Sequence, residues 1–403
     1  MNEHLVIVFA YHYPPENAIG ADRPHRFAKH LARLGYTCRV FTAAAQDGRR
    51  DSNVEYVPDP FFTSPRASTK WQLERAIRKF ILPGELGTQW AYCAYRAAQA
   101  FLREHRSSKV TVFSTFPPLG AHLAAWQLAR VENVPWIADF RDPFPDWSGH
   151  SEVLAHHRAA YRWLERASLR RADTVIANTD SARNEWVEKF PWLEGKIQVI
   201  WNGFDSEERV GPLPIPARGY RVVAHLGHLY KERNATPVLE SVARLLASGR
   251  LPAGRLSFRM IGTVEEGALP GPEFLARARN QGWLDLSTEW IERDEALDIE
   301  RTSDGLLLLQ PQSSTQVPGK LFEYIQIGRP ILAFVQRESP SQRLLEQSGV
   351  VHRCVHPGAS PNEIDEAIAG FFELPSTPVA PSAWFEEQFN AENQTRVLDS
   401  IIR

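Results

Sequence analysis

The chain has 403 residues, 43% of them hydrophobic and 23% charged, with a formal net charge of -2. That length accommodates two ordinary domains with a full core in each, and the missing basic excess argues against a nucleic-acid binder, which must neutralise phosphates. Three cysteines, Cys38, Cys93 and Cys354, stand far apart with no CxxC pair, so reduced thiols in a cytosolic protein are expected and no disulfide framework or metal site.

The opening MNEHLVIVFAYHYPPE lacks a basic n-region and a small-residue cleavage site, and reads as a first strand. No uninterrupted apolar run approaches the ~20 residues of a membrane span. A helix is predicted from Asp22 to Leu34, where Phe27, Leu31 and Leu34 recur at helical spacing and Gly35 supplies the stop. The loop before it, PPENAIGA, follows the carboxyl end of a strand, the place where open α/β sheets bind ligands. There Gly20 allows close backbone approach, and Arg23 and Arg26 share a helix face able to grip an acceptor phosphate; an ordinary loop with solvated arginines is the alternative. Residues 70–82, KWQLERAIRKFIL, pair Trp71, Ile77, Phe80 and Ile81 with Lys70, Arg75, Arg78 and Lys79. Such a stripe is either a core-facing helix or a peripheral contact with an anionic membrane.

Further strands are expected at 38–42, 110–113, 135–139, 174–178 and 197–201. The segment 138–147, ADFRDPFPDW, gathers Asp139, Arg141, Asp142 and Asp146 at a strand end, where charge is expensive unless paired or functional. One possibility is an Asp139–Arg141 ion pair that fixes the loop; the other is catalysis. Two carboxylates also raise glycoside hydrolysis, but nothing resembles a hydrolase barrel or jelly roll. Thr179 or Ser181 is a natural N-cap. A Pro-, Gly- and charge-rich stretch at 205–219 separates this series from a second, with strands at 221–227, 256–262, 287–291, 305–309 and 331–335. Continuous apolar strands alternating with helices imply parallel sheets covered on both faces, hence an α/β protein of two doubly wound, Rossmann-like domains. The domains are 1–205 and 220–378, joined by 206–219, with a last helix within 379–403.

The second half holds the most informative stretch, VPGKLFEYIQIGRP at 317–330. Pro318-Gly319 leaves N–H groups free at a helix start, where the dipole favours an anion. Lys320 adds a point charge, and Glu323, in the first turn, offers a carboxylate to a pair of sugar hydroxyls. A ribose-diphosphate group suits that set. Lys231 and Arg233 follow the strand ending at Gly227, two cations near a helix start with an exposed basic loop as the alternative, and Gly262 ends the next strand.

This stretch resembles the donor-site signature of family 4 glycosyltransferases, retaining enzymes of the GT-B fold whose two Rossmann-like domains face a cleft. It is most similar to the PxKLxEYxxxGxP version of bacterial surface-polysaccharide transferases. Glu323 matches the second of the family's paired glutamates, and the first falls at Thr315. The resemblance extends to the YYPPExGGGxxR-like opening and to Asn202-Gly203 with Asp205. It implies a nucleotide sugar, UDP- or GDP-linked, bound by Gly227, Lys231, Arg233, Gly262, Val317, Pro318, Gly319, Lys320, Leu321 and Glu323. Gly20 and Arg23 fall on the acceptor side. Asp139, Arg141, Asp142 and Lys231 are the catalytic candidates, Arg141 or Asp142 standing where many relatives carry a histidine. Base contacts are implied near 289–300, and no metal or other cofactor. The implied reaction is metal-independent transfer with retention to a glycan or polyprenyl-linked acceptor, in the cytoplasm or at the inner face of the cell membrane. A nucleotide-sugar 2-epimerase of the same fold and a non-catalytic binding scaffold remain as alternatives.

Overall fold

Seven parallel strands form the first sheet of the protein, seen in a computed structural model that describes residues 4–16, 20–43, 51–60, 87–105, 109–142 and 155–403. They are β1 (His4–Phe9), β2 (Thr37–Thr42), β3 (Val54–Tyr56), β4 (Lys109–Phe116), β5 (Trp136–Phe140), β6 (Thr174–Ala177) and β7 (Ile197–Val199), in the order β3-β2-β1-β4-β5-β6-β7. The period-two geometry of a strand divides β1 between two cores. Leu5, Ile7 and Phe9 face one with Trp90, Ala94 and Ala98, whereas Val6 and Val8 face the other with Phe27, Leu31 and Leu398. Helices therefore cover both faces, as the continuous apolar strands require. The helix predicted from Asp22 runs Asp22–Arg33. Thr179 caps the Asp180–Lys189 helix by accepting from the N–H of Ala182 at 3.0 Å.

The second sheet has six parallel strands, β8 (Arg221–Leu226), β9 (Leu256–Ile261), β10 (Leu284–Ser287), β11 (Gly305–Gln310), β12 (Ile331–Val335) and β13 (His352–Val355), in the order β10-β9-β8-β11-β12-β13. The strand expected at 287–291 is β10, lying mostly before that window; Trp290, which suggested a strand, is 76% exposed. The Gly319–Ile327 helix ends where expected, at Gly328, with φ +71° and the carbonyl of Val379 too close for a Cβ.

The chain divides into two compact units, Met1–Asp205 with Ala391–Arg403, and Ser206–Asn390. Two boundaries differ from expectation. The stretch 206–219 packs into the second unit: Arg301 donates to the carbonyl of Gly211 at 2.7 Å, Arg329 to that of Leu213 at 2.6 Å, and Arg218 to Asp304 at 2.8 Å. Arginine contacts, among them those of the buried Arg329, fix a segment whose composition reads as a linker. The last helix is two, Ala383–Phe389 and Ala391–Ile402, separated at Asn390. Phe385 and Phe389 pack on Phe322 of the second unit, whereas Leu398 and Ile402 enter the core of the first. Tyr36 donates to Asp399 at 2.5 Å. The basic stretch 70–82 lies outside the described residues, and among the described residues no helix is long and apolar enough to cross a membrane.

Candidate functional site

In the second unit the predicted donor residues converge at the carboxyl ends of β8 and β9. Gly227 and Gly262 lie back to back with φ of +141° and +146°, and a Cβ on Gly262 would meet the Gly227 carbonyl oxygen at 2.2 Å. Only glycine tolerates both that backbone and that approach. Their register is set by the ladder: the N–H of Gly227 donates to Ile261 at 2.8 Å and that of Gly262 to Ser287 at 3.0 Å. Lys320, in the first turn of the Gly319–Ile327 helix, points at this pair, its Nζ 3.0 Å from where a Gly227 Cβ would stand. The preceding loop is anchored from beneath. Gln310 donates to the carbonyl of Gln316 at 3.1 Å and accepts from Ser341 at 2.7 Å, with Val317 buried. Pro318 is the helix N-cap residue, and Leu321 faces the core.

The Lys320 ammonium has one described partner, Glu300 at 3.9 Å, beyond hydrogen-bond reach, and its side chain is 30% exposed. Burial lowers its pKa, against the opposing pull of Glu300 and Glu323, while Arg233 lowers it further. Arg233 stacks on Tyr230 at 5.1 Å and acts electrostatically on both Lys320 and His225. Lys231, expected to lead this pair, is exposed on the same turn; the structure gathers Arg233 with Lys320 instead. Glu323 pairs with Arg293 at 3.1 Å. His225 donates from Nδ1 to the Leu307 carbonyl at 2.8 Å, and burial drives its pKa down to about 3, so it is neutral beside the cations.

Sequence reasoning missed Glu300 and His225. A carboxylate in the last turn of the Arg293–Arg301 helix looks like one more surface acid, and its burial comes from the packing of that helix against the Gly319–Ile327 helix. Burial, with Glu323 nearby, pushes the Glu300 pKa up to about 7 despite the pull of Lys320.

The first unit uses its predicted charges differently. Arg23 grips Asp139 with two hydrogen bonds, 2.9 and 2.7 Å, and donates to the carbonyls of Trp201 at 2.6 Å and Ile200 at 2.8 Å. Asp139 is wholly buried and also accepts from Thr115 at 2.9 Å. These contacts consume the guanidinium and the carboxylate, so Arg23 does not grip an acceptor phosphate and Asp139 holds the sheet to the first helix. The partner of Asp139 is therefore Arg23, not Arg141. Arg26 donates to the carbonyl of Gly203, so the arginine face of the helix points into the 200–203 turn.

Arg141 directly follows β5. It donates to the carbonyls of Phe116 at 3.1 Å and Pro117 at 2.6 Å, and Asn178 donates to its own carbonyl. Its Nη1 stands 2.7 Å from where a Gly20 Cβ would lie, so any larger residue there must displace the guanidinium. Burial lowers the Arg141 pKa, opposed first by Asp142 and then by Asp139. Gly20, Arg141 and Asp142 thus share one end of the first sheet. Asp146 lies outside the described residues. Among the described residues no group of three His, Cys, Asp or Glu side chains could hold a metal ion.

Residues 23–208 match the family model described as Glycosyltransferase Family 4. Solved structures share the fold along the whole chain. A glycosyltransferase from Rickettsia africae ESF-5 aligns with a TM-score of 0.62 at 11% identity, covering 100% of this chain and 98% of that one. Anabaena HepE in complex with UDP-glucose aligns at 0.60 and 12%, covering 99% of each. The apo lipopolysaccharide outer core galactosyltransferase WaaB aligns at 0.58 and 12%, again over 99% of each. No curated protein is significantly similar in sequence. The two parallel sheets, each flanked by helices, define the α/β fold of GT-B glycosyltransferases. The chain is thus similar to the family 4 model over residues 23–208 and to GT-B structures in fold along its whole length.

Proposed function

We propose that this chain transfers a sugar from a nucleotide-sugar donor to a glycan or polyprenyl-linked acceptor, with retention of configuration and without a metal ion, in the cytoplasmic synthesis of a surface glycan. The observation that carries the donor half is Lys320, a half-sheltered ammonium without a hydrogen bond among the described residues, aimed at the glycine pair where β8 and β9 end. A diphosphate there gives Lys320 and Arg233 an anion within hydrogen-bond reach, which Glu300 at 3.9 Å from Lys320 is not. Fixed cations in a sheltered site stabilise the charge that develops on a leaving nucleoside diphosphate without reorganising, which is the task a metal ion performs elsewhere. Glu323 receives the ribose hydroxyls at the rim. A solved neighbour that holds UDP-glucose makes UDP-linked donors the first choice.

Gly20, Arg141 and Asp142 are the acceptor side of this reading. They lie where β1, β4 and β5 end, the position at which open α/β sheets present loops to ligands. Retention follows from the resemblance of 317–330 to the family 4 signature.

The test is turnover of UDP- and GDP-sugars with glycan and polyprenyl-phosphate acceptors, the product anomer read by NMR. A glycosylated product with the donor's anomeric configuration is expected. An inverted product would overturn retention. A rearranged nucleotide sugar formed without acceptor would make the protein an epimerase, and nucleotide binding without any turnover would make it a scaffold.

A further inference from the structure

Beside the Lys320 site stands a carboxylate whose ionisation the fold opposes. Glu300 is 3% exposed in the last turn of the Arg293–Arg301 helix, where the dipole disfavours negative charge. Burial and Glu323 oppose its ionisation further, whereas Lys320 and Arg293 favour it. The groups around it come from several elements. Arg293 is on its own helix, and Lys320, Glu323 and Tyr324 are on the next. His225 of β8 and Arg233 of the following turn act through Lys320. The Tyr324 hydroxyl also favours the ionised form of Glu300, and His225 Nε2 is buried without a hydrogen-bond partner among the described residues. A lone buried acid opposed on three counts adds nothing to stability by itself. Its described ionic contact is the Lys320 ammonium at 3.9 Å.

We propose that Glu300 is a positioning residue of the anion site: it steers the Lys320 ammonium toward Gly227 before a ligand arrives, and takes a proton from solvent when a diphosphate pairs with that ammonium. The inference rests on the donor reading above. The electrostatics run in one direction. A doubly charged diphosphate beside Glu300 makes the carboxylate harder to keep ionised, so binding and protonation favour each other. Where the free protein holds Glu300 ionised and the complex holds it protonated, donor affinity falls with rising pH, by up to about tenfold per pH unit. Glutamine keeps the shape of the protonated acid and does not titrate.

Titration calorimetry of UDP-glucose between pH 6.5 and 8.5, in buffers of different ionisation enthalpy, reads this directly, because a sugar-esterified diphosphate has no ionisation of its own in that window. The wild type should take up protons and lose affinity several-fold across the range, whereas Glu300→Gln should bind with neither proton uptake nor pH dependence. The same slope and proton count in Glu300→Gln would overturn the proposal. A ligand-free arm separates this inference from the donor reading. Thermal midpoints of Glu300→Gln, Lys320→Met and the double variant at pH 8.5 should be non-additive, with Lys320→Met more damaging when Glu300 is present. If no nucleotide sugar binds the wild type, the donor reading fails and this cycle alone decides the pairing; simply additive midpoints overturn it.

Discussion

Each unit sets a cation beside a buried carboxylate near the carboxyl ends of a parallel sheet, and the two pairs behave in opposite ways. In the first unit Arg23 and Asp139 meet through two hydrogen bonds of 2.9 and 2.7 Å, and the remaining donors reach backbone carbonyls. In the second, Lys320 and Glu300 stand 3.9 Å apart with no hydrogen bond between them. The planar fork of arginine saturates a carboxylate, whereas the compact ammonium of lysine leaves donors unspent. Both pairs set a cation beside a buried carboxylate; hydrogen-bond satisfaction separates the structural pair from the proposed anion site.

Breaking the saturated pair should have the largest effect. Arg23→Met leaves Asp139 buried and unpaired, which costs about 3–5 kcal/mol; the first unit should melt earlier in differential scanning calorimetry. Donor affinity measured below that transition should be unchanged. The loose pair should show the reverse. Its carboxylate has a pKa raised from 4.5 to about 7, so its ionisation destabilises the fold progressively as pH rises between those values and fully above the upper one. Glu300→Gln removes that penalty and should stabilise the protein by about 3 kcal/mol at pH 8.5 and by nothing at pH 4. Urea titrations at both pH values check this, and a variant less stable than wild type at pH 8.5 would contradict it. The smallest effect is expected at Gly20. A Cβ there presses to within 2.7 Å of the Arg141 guanidinium, so Gly20→Ala should lower transfer rates about tenfold through misplacement, with unchanged donor affinity in the same preparation.

Much of this was legible in the sequence, for reasons the residues make plain. Central strands such as β1 and β11 are apolar on both faces and could be read directly. The short edge strands β3 and β13, VEY and HRCV, are half-exposed and carry no such pattern. The Lys320–Glu323 stretch announced itself because a Pro-Gly turn, a helix start and a glycine stop are local features. Local reading failed for Arg23, Asp139 and Glu300. The Arg23–Asp139 contact spans 116 residues, and the burial of Glu300 depends on which face of one helix meets another. A charge at a strand end looks the same in sequence whether or not a distant arginine saturates it.

The central claim is that the Lys320 ammonium receives a nucleoside diphosphate, and nucleotide titration of wild type against Lys320→Met tests it most directly. UDP, GDP and their sugar conjugates are titrated in turn, by calorimetry and by shift of the thermal midpoint. Loss of a charge-assisted contact worth about 2–3 kcal/mol predicts saturable binding of one nucleotide to the wild type, weakened roughly 30- to 100-fold in the variant, whose unliganded fold persists. Equal affinity in the two proteins, or no binding of any nucleotide to the wild type, would contradict the account.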